Sequence, residues 1–171
     1  LSGTGKSLLA RTLAPAVLPE PGAVVIRTDV LRKQYFQASE TGRLPEEAYR
    51  TEVNEKIYAT LVERASRILA SGHSVIADAV FARPFERDAI FEVTRKLKLR
   101  FSGLFLTADL ATRQQRVGRR ERDASDATPA IAAIQEDYQI GAIDWSLVDG
   151  SGTPEETLQK CLTHIPRAGL R

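Results

Sequence analysis

Four short runs rich in β-branched and aromatic residues alternate with longer stretches of helical periodicity. The runs are AVVIRTD (23–29), SVIADAVF (74–81), FSGLFLTAD (101–109) and DWSLVDGSG (144–152), and each passes from apolar positions into a polar or glycine-containing end. Between them, 6–18, 45–72, 83–98 and 110–122 carry apolar residues at helical spacing. Pro45 and Pro84 fall where a first helical turn accepts proline, and Gly72 is a helix stop. The alternation predicts an α/β fold in which a parallel sheet is covered by helices on both faces. No repeat interrupts it, and LPEPG (18–22) reads as a turn.

Composition adds mainly exclusions. A length of 171 residues, 43% hydrophobic and 27% charged, fits one domain over 1–171. Lys and Arg number 24 against 22 Asp and Glu, so no global basic field argues for nucleic acid, although clustered arginines can still make a local anion site. The single cysteine, Cys161, rules out an internal disulfide and suits a reducing cytoplasm. No apolar run approaches the ~20 residues a membrane helix needs, and no secretory signal is visible.

The strongest motif opens the chain. In LSGTGKSLLARTL, Gly5-Lys6-Ser7 completes a phosphate-binding loop whose first glycine would stand one place before Leu1. The chain is therefore expected to be N-terminally truncated, lacking that glycine and the strand that feeds the loop. The four visible strands should then leave a gap in the sheet, to be filled by preceding residues or by a partner chain. Gly3 and Gly5 let backbone N–H groups approach phosphates, Lys6 can reach the β- and γ-phosphates, and Ser7 can ligate Mg²⁺. Ser2, Thr4 and Leu8 complete the candidate nucleotide contacts. The alternative is a glycine turn that merely caps a helix.

Three further clusters bear on phosphoryl chemistry. Asp78 ends the second strand, where a carboxylate at the carboxyl edge of a sheet can hold Mg²⁺; otherwise it caps the following turn. Asp29 ends the first strand and Arg32 lies one turn further on, a pair able to orient a substrate hydroxyl, accept its proton and hold an anionic group. Taken alone, Asp29 is equally an N-cap and Arg32 equally a surface residue. The segment TRQQRVGRRERDASDATP carries Arg113, Arg116, Arg119, Arg120 and Arg122, a lid pattern over about 113–128. Arg116 and Arg120 are candidates for the transferring phosphoryl, and Arg119 for nucleotide; a charged helix face is otherwise simply solvated. Arg83 and Arg87 are candidates for the acceptor, with surface placement as the alternative. Gly152 and Thr153 are candidates for an adenine edge, although TPEE (153–156) is also a good helix start. His73 and His164 are unclustered and suggest no metal centre.

Together, SGTGKS, RTDVLRK, HSVIADAVFARPFER and the arginine-rich lid resemble small P-loop kinases of the gluconate kinase, chloramphenicol phosphotransferase, zeta-toxin and polynucleotide kinase type. The resemblance spans nearly the whole chain and is strongest to uncharacterised kinases of that group. It implies a P-loop NTPase three-layer sandwich with an adenylate-kinase-like sheet, Mg·ATP as donor, a hydroxyl or phosphate acceptor, and Asp29 as base. Such relatives are often fused behind an aminoglycoside-phosphotransferase-like domain and carry a loose AAA-family label. A mechanical AAA ATPase would need a longer core, a sensor region and a C-terminal helical lid, for which 171 residues leave no room. A non-catalytic nucleotide-binding module stays open.

Overall fold

The computed structural model describes residues 1–119 and 123–165. Its elements follow the order expected from periodicity, with shorter strands. The first helix, α1 (Lys6–Leu13), gives way to a 3-10 turn at Ala14–Ala16, because Pro15 removes the backbone donor a continuing helix needs. Strand β1 (Val24–Arg27) runs directly into α2 (Thr28–Tyr35). A 3-10 turn at Glu46–Tyr49 precedes the long helix α3 (Thr51–Ala70), so the 45–72 stretch is two elements. Then come β2 (Val75–Asp78), α4 (Pro84–Leu97), β3 (Leu104–Thr107), α5 (Leu110–Gly118), α6 (Pro129–Ile134), β4 (Ser146–Asp149) and α7 (Pro154–Leu162). Helix α6 lies in a stretch to which the periodicity assigns no element; six residues are too few to set up a readable period.

All strand pairing is parallel, as predicted. β1 pairs with β2 in the register Arg27↔Asp78, and β3 pairs with β4 in the register Thr107↔Asp149. The two pairs do not hydrogen-bond to each other. Between them lies an apolar slot of about 700 Å³ lined by Val75, Ile76 and Ala77 on one side and Leu104, Phe105 and Leu106 on the other. The gap expected from four visible strands is thus present, between β2 and β3.

Each strand pair carries its own core. Ile26, Leu31, Ile57, Leu61, Phe81 and Ile90 pack α2, α3 and α4 onto β1–β2, with Trp145 and Phe101 stacked edge-on at the border. A smaller cluster of Leu9, Leu106, Val148 and Cys161 joins α1 and α7 to β3–β4. Helix α1 packs on α7, and α3 packs on α2 and α4, which gives helix layers on both sides of the strands. Among the described residues, no helix is long and apolar enough to cross a membrane.

Candidate active site

The register Arg27↔Asp78 brings the carboxyl ends of β1 and β2 together beside the start of α1. A cavity of about 40 Å³ there is lined by Ser2, Lys6, Ser7, Thr28, Asp29, Asp78 and Ser125, among others. The structure thereby unites Lys6, Ser7, Asp29 and Asp78, four residues drawn from three separate motifs. The volume is close to that of one water molecule, so the walls stand closed against each other.

The loop wall has the conformation its glycines allow. Gly3 and Gly5 take φ of +83° and +95°, a region other residues enter only with strain. A Cβ on Gly3 would lie 2.5 Å from the Arg113 carbonyl oxygen, and one on Gly150 would lie 2.8 Å from the Thr4 carbonyl oxygen. The loop is therefore sandwiched between α5 and the β4–α7 connection. Thr4 is buried and Leu8 exposed. The Lys6 ammonium donates to the Leu1 carbonyl across the loop.

Charge dominates the opposite wall. Arg27 contacts Asp78 at 3.2 Å, Asp123 at 2.9 Å and Asp29 at 3.8 Å. Burial, then the neighbouring Asp78 charge, raises the Asp29 carboxyl above the ordinary aspartate range against the pull of Arg27, Lys6 and Arg32. Lys33 is buried; it pairs with Asp126 at 2.6 Å and donates to the Gly42 carbonyl. Asp126 also accepts from the Tyr49 hydroxyl and from the Leu44 N–H at 3.1 Å. Two ion pairs thus draw 123–126 onto β1 and α2 and place Ser125 over the cavity.

Several sequence candidates turn out to be committed elsewhere. Arg32 is buried over the Tyr49 ring, donating to the Ala48 carbonyl at 2.6 Å and Asn54 Oδ1 at 2.8 Å, so it braces α2 against α3 rather than facing the cavity. Arg87 is buried and donates to the carbonyls of Phe81, Ala82, Ile140 and Ala142; an acceptor would have to displace all four. Arg116 reaches the carbonyls of Gly150, Ser151 and Gly152 at 2.6, 3.2 and 2.8 Å, tying α5 to the loop after β4 instead of lying over the cavity. Thr153 forms a capping box with Glu156 at the start of α7, the structural alternative for that segment. Arg83 sits 5.8 Å from the Phe85 ring, and Arg119 is exposed at the end of α5. Arg120 and Arg122 lie outside the described residues.

Sequence reasoning passed over Arg27, Ser125, Gln135, Asp123 and Asp126. Arg27 was within reach, since it immediately precedes the strand-end Thr28-Asp29. The paired carboxylates three residues apart in DASD matched no motif, and only the fold shows that they meet Arg27 and Lys33.

The family model described as an AAA domain (AAA_33) matches residues 1–139, and the chain belongs to that family. The fold is that of the small P-loop kinases. The structure resembles a sugar kinase from Janibacter sp. HTCC2649 (TM-score 0.67, 20% identity, 96% of this chain and 89% of that one). It is similar in the same way to a gluconokinase from Sinorhizobium meliloti 1021 (TM-score 0.66, 18% identity, 96% and 86%). A third likeness is to the Mycobacterium tuberculosis APS kinase CysC, solved with AMPPNP and APS (TM-score 0.67, 19% identity, 95% and 91%). Among curated proteins, the uncharacterized proteins Rv2004c of M. tuberculosis and Mb2027c of M. bovis are each 30% identical over 98% of this chain. The chain spans 34% of the length of either.

Proposed function

We propose that this domain transfers the terminal phosphoryl group of Mg·ATP to a hydroxyl-bearing acceptor. The observation that carries the reading is the convergence of Lys6, Ser7, Asp29 and Asp78 on one cavity at the carboxyl edge of β1–β2. The loop N–H groups and Lys6 bind the phosphates, and the start of α1 favours their charge. Asp29, its carboxyl raised toward the range useful in proton transfer, accepts the hydroxyl proton as the acceptor attacks. Magnesium prefers hard oxygen donors and keeps several waters, a demand that the Ser7 hydroxyl and Asp78 carboxylate fit. When bound there it would neutralise phosphate charge. Nucleotide entry requires the 123–126 segment to lift, which breaks the Arg27–Asp123 and Lys33–Asp126 pairs. The wider span of the curated relatives accords with a further domain in the intact protein, of the aminoglycoside-phosphotransferase-like kind expected from the resemblance.

The test is Lys6→Ala in the intact protein, followed by calorimetric titration with Mg·ATP. Loss of a charge-assisted phosphate contact should weaken binding about 10- to 100-fold. Equal affinities would refute the assignment. A second reading, a nucleotide-binding module without turnover, is favoured by the commitment of Arg32, Arg87 and Arg116 to backbone and side-chain acceptors away from the cavity. ADP release by the intact protein with a panel of sugars, nucleosides and aminoglycosides separates the two.

A further inference from the structure

We propose that Gln135 and Arg113 are positioning residues for the phosphate loop, acting through Ser2; the proposal rests on the nucleotide reading above. Every polar group of Ser2 is held by this pair. Its N–H donates to Gln135 Oε1 at 2.7 Å, its hydroxyl oxygen accepts from Gln135 Nε2 at 3.0 Å, and its carbonyl accepts from Arg113 Nε at 2.9 Å. Both clamping side chains are buried, at 5% and 1% exposure, so neither bond set competes with bulk water. The clamp is itself braced, because Arg113 donates to the Ala132 carbonyl at 2.9 Å, to Gln135 Oε1 at 3.3 Å and to Glu136.

The physical need for such a clamp follows from the loop's composition. Two glycines at positive φ make this segment conformationally permissive, and an unordered loop would have to be fixed when phosphate binds. Gln135 and Arg113 do not line the cavity, so their effect on ligand is indirect. They settle the orientation of the N–H groups beforehand, which is where phosphate affinity resides. A glutamine suits the role because one planar amide supplies both the acceptor for the Ser2 N–H and a donor for its hydroxyl. A glutamate would keep the first bond, and the Ser2 hydroxyl could turn to donate to it. A leucine would keep neither.

The experiment compares the intact protein with its Gln135→Leu and Gln135→Glu variants, titrating Mg·ATP by calorimetry and recording each Tm. Gln135→Leu should weaken ATP roughly tenfold or more, while Gln135→Glu stays within about threefold of the parent. That split, uncorrelated with Tm, supports positioning. Parental ATP affinity in Gln135→Leu, whatever its Tm, overturns the proposal, as does equal weakening in both variants. Should Gln135→Leu fail to fold, Gln135→Ala takes its place, since it also leaves the cavity lining untouched; it must weaken ATP by about tenfold, and unchanged affinity overturns the clamp. A parent that does not bind ATP at all refutes the nucleotide reading and the clamp with it, whereas a binding parent with an indifferent Gln135→Leu refutes the clamp alone.

Discussion

The two walls of the cleft are held by different forces. On the loop side, Ser2 is fixed by hydrogen bonds to a buried amide and guanidinium, and Gly3 and Gly150 allow backbone to pack on backbone. On the side of β1 and α2, position is set by ion pairs, Arg27 with Asp78 and Asp123 and Lys33 with Asp126. Steric contact and bonds to backbone groups are nearly indifferent to salt and pH. Ion pairs instead weaken as acid protonates their carboxylates, burial shielding pairs such as Lys33–Asp126 from salt, and an incoming anion competes for their cations. The loop wall is thus suited to hold still and the facing wall to yield.

The largest effect expected is on chemistry. Asp29→Asn keeps the shape of the facing wall and removes the proton acceptor, so turnover should fall roughly 10²–10⁴-fold with ATP affinity little changed. In the parent, the acid limb of kcat/KM against pH should lie above the ordinary aspartate value of about 3.9, because Asp29 must lose its proton to work and its pKa is raised. A limb at or below that value, or undiminished turnover in the variant, would remove Asp29 from the mechanism.

Next in size is a break in the facing wall. Lys33→Met leaves Asp126 without its cation in a largely buried setting, and chemical denaturation should report a loss of about 3–5 kcal/mol. A loss below about 1 kcal/mol would mean that this pair behaves as a surface pair. The loop wall is probed by Gly3→Ala, which forces a Cβ toward the Arg113 backbone at positive φ; a loss of about 1–3 kcal/mol is expected, with weaker Mg·ATP binding. Added salt should leave this deficit unchanged.

The smallest effect is a pH signature. Burial alone would raise the Asp126 carboxyl, but hydrogen bonds from Lys33, Tyr49 and the Leu44 N–H outweigh it and hold the group below the ordinary value. Its contribution to stability is therefore present above about pH 4 and fades as pH falls through the depressed pKa. Asp29 runs the other way, its raised pKa contributing stability at acid pH that is lost as pH rises through it. The protection factor of the Leu44 amide, its exchange rate corrected for the intrinsic pH dependence, should fall on acidification below about pH 4, and a factor that stays flat there would contradict the assigned role of Asp126.

Legibility in the sequence followed chain distance. Ser2, Lys6 and Ser7 could be grouped because the motif is written in contiguous positions, and Asp29 and Asp78 because strand ends in a parallel fold converge on one edge, whereas Thr4, buried, and Leu8, exposed, do not line the cavity. Parallel pairing and a gap in the sheet were legible from the alternation and the interrupted motif, but the order of the strands and the gap's place between β2 and β3 were not. The arginines were visible as a cluster, but their roles were not. Whether a guanidinium faces a ligand or a neighbouring carbonyl depends on tertiary packing, as Arg116 and its contact with 150–152 illustrate. Gln135 carried no signal at all, since its partner lies 133 positions away.

That separation governs when the site can form. Closing a loop of such length is opposed by chain entropy, and the bonds of Ser2 offset it only after α5 and α6 have docked. On a ribosome the phosphate loop emerges long before residue 135, and it stays unclamped until more than a hundred further residues have been made. Binding competence should consequently be among the last properties acquired during folding, trailing the compaction of the α2–α3–α4 core, whose contacts are closer in sequence.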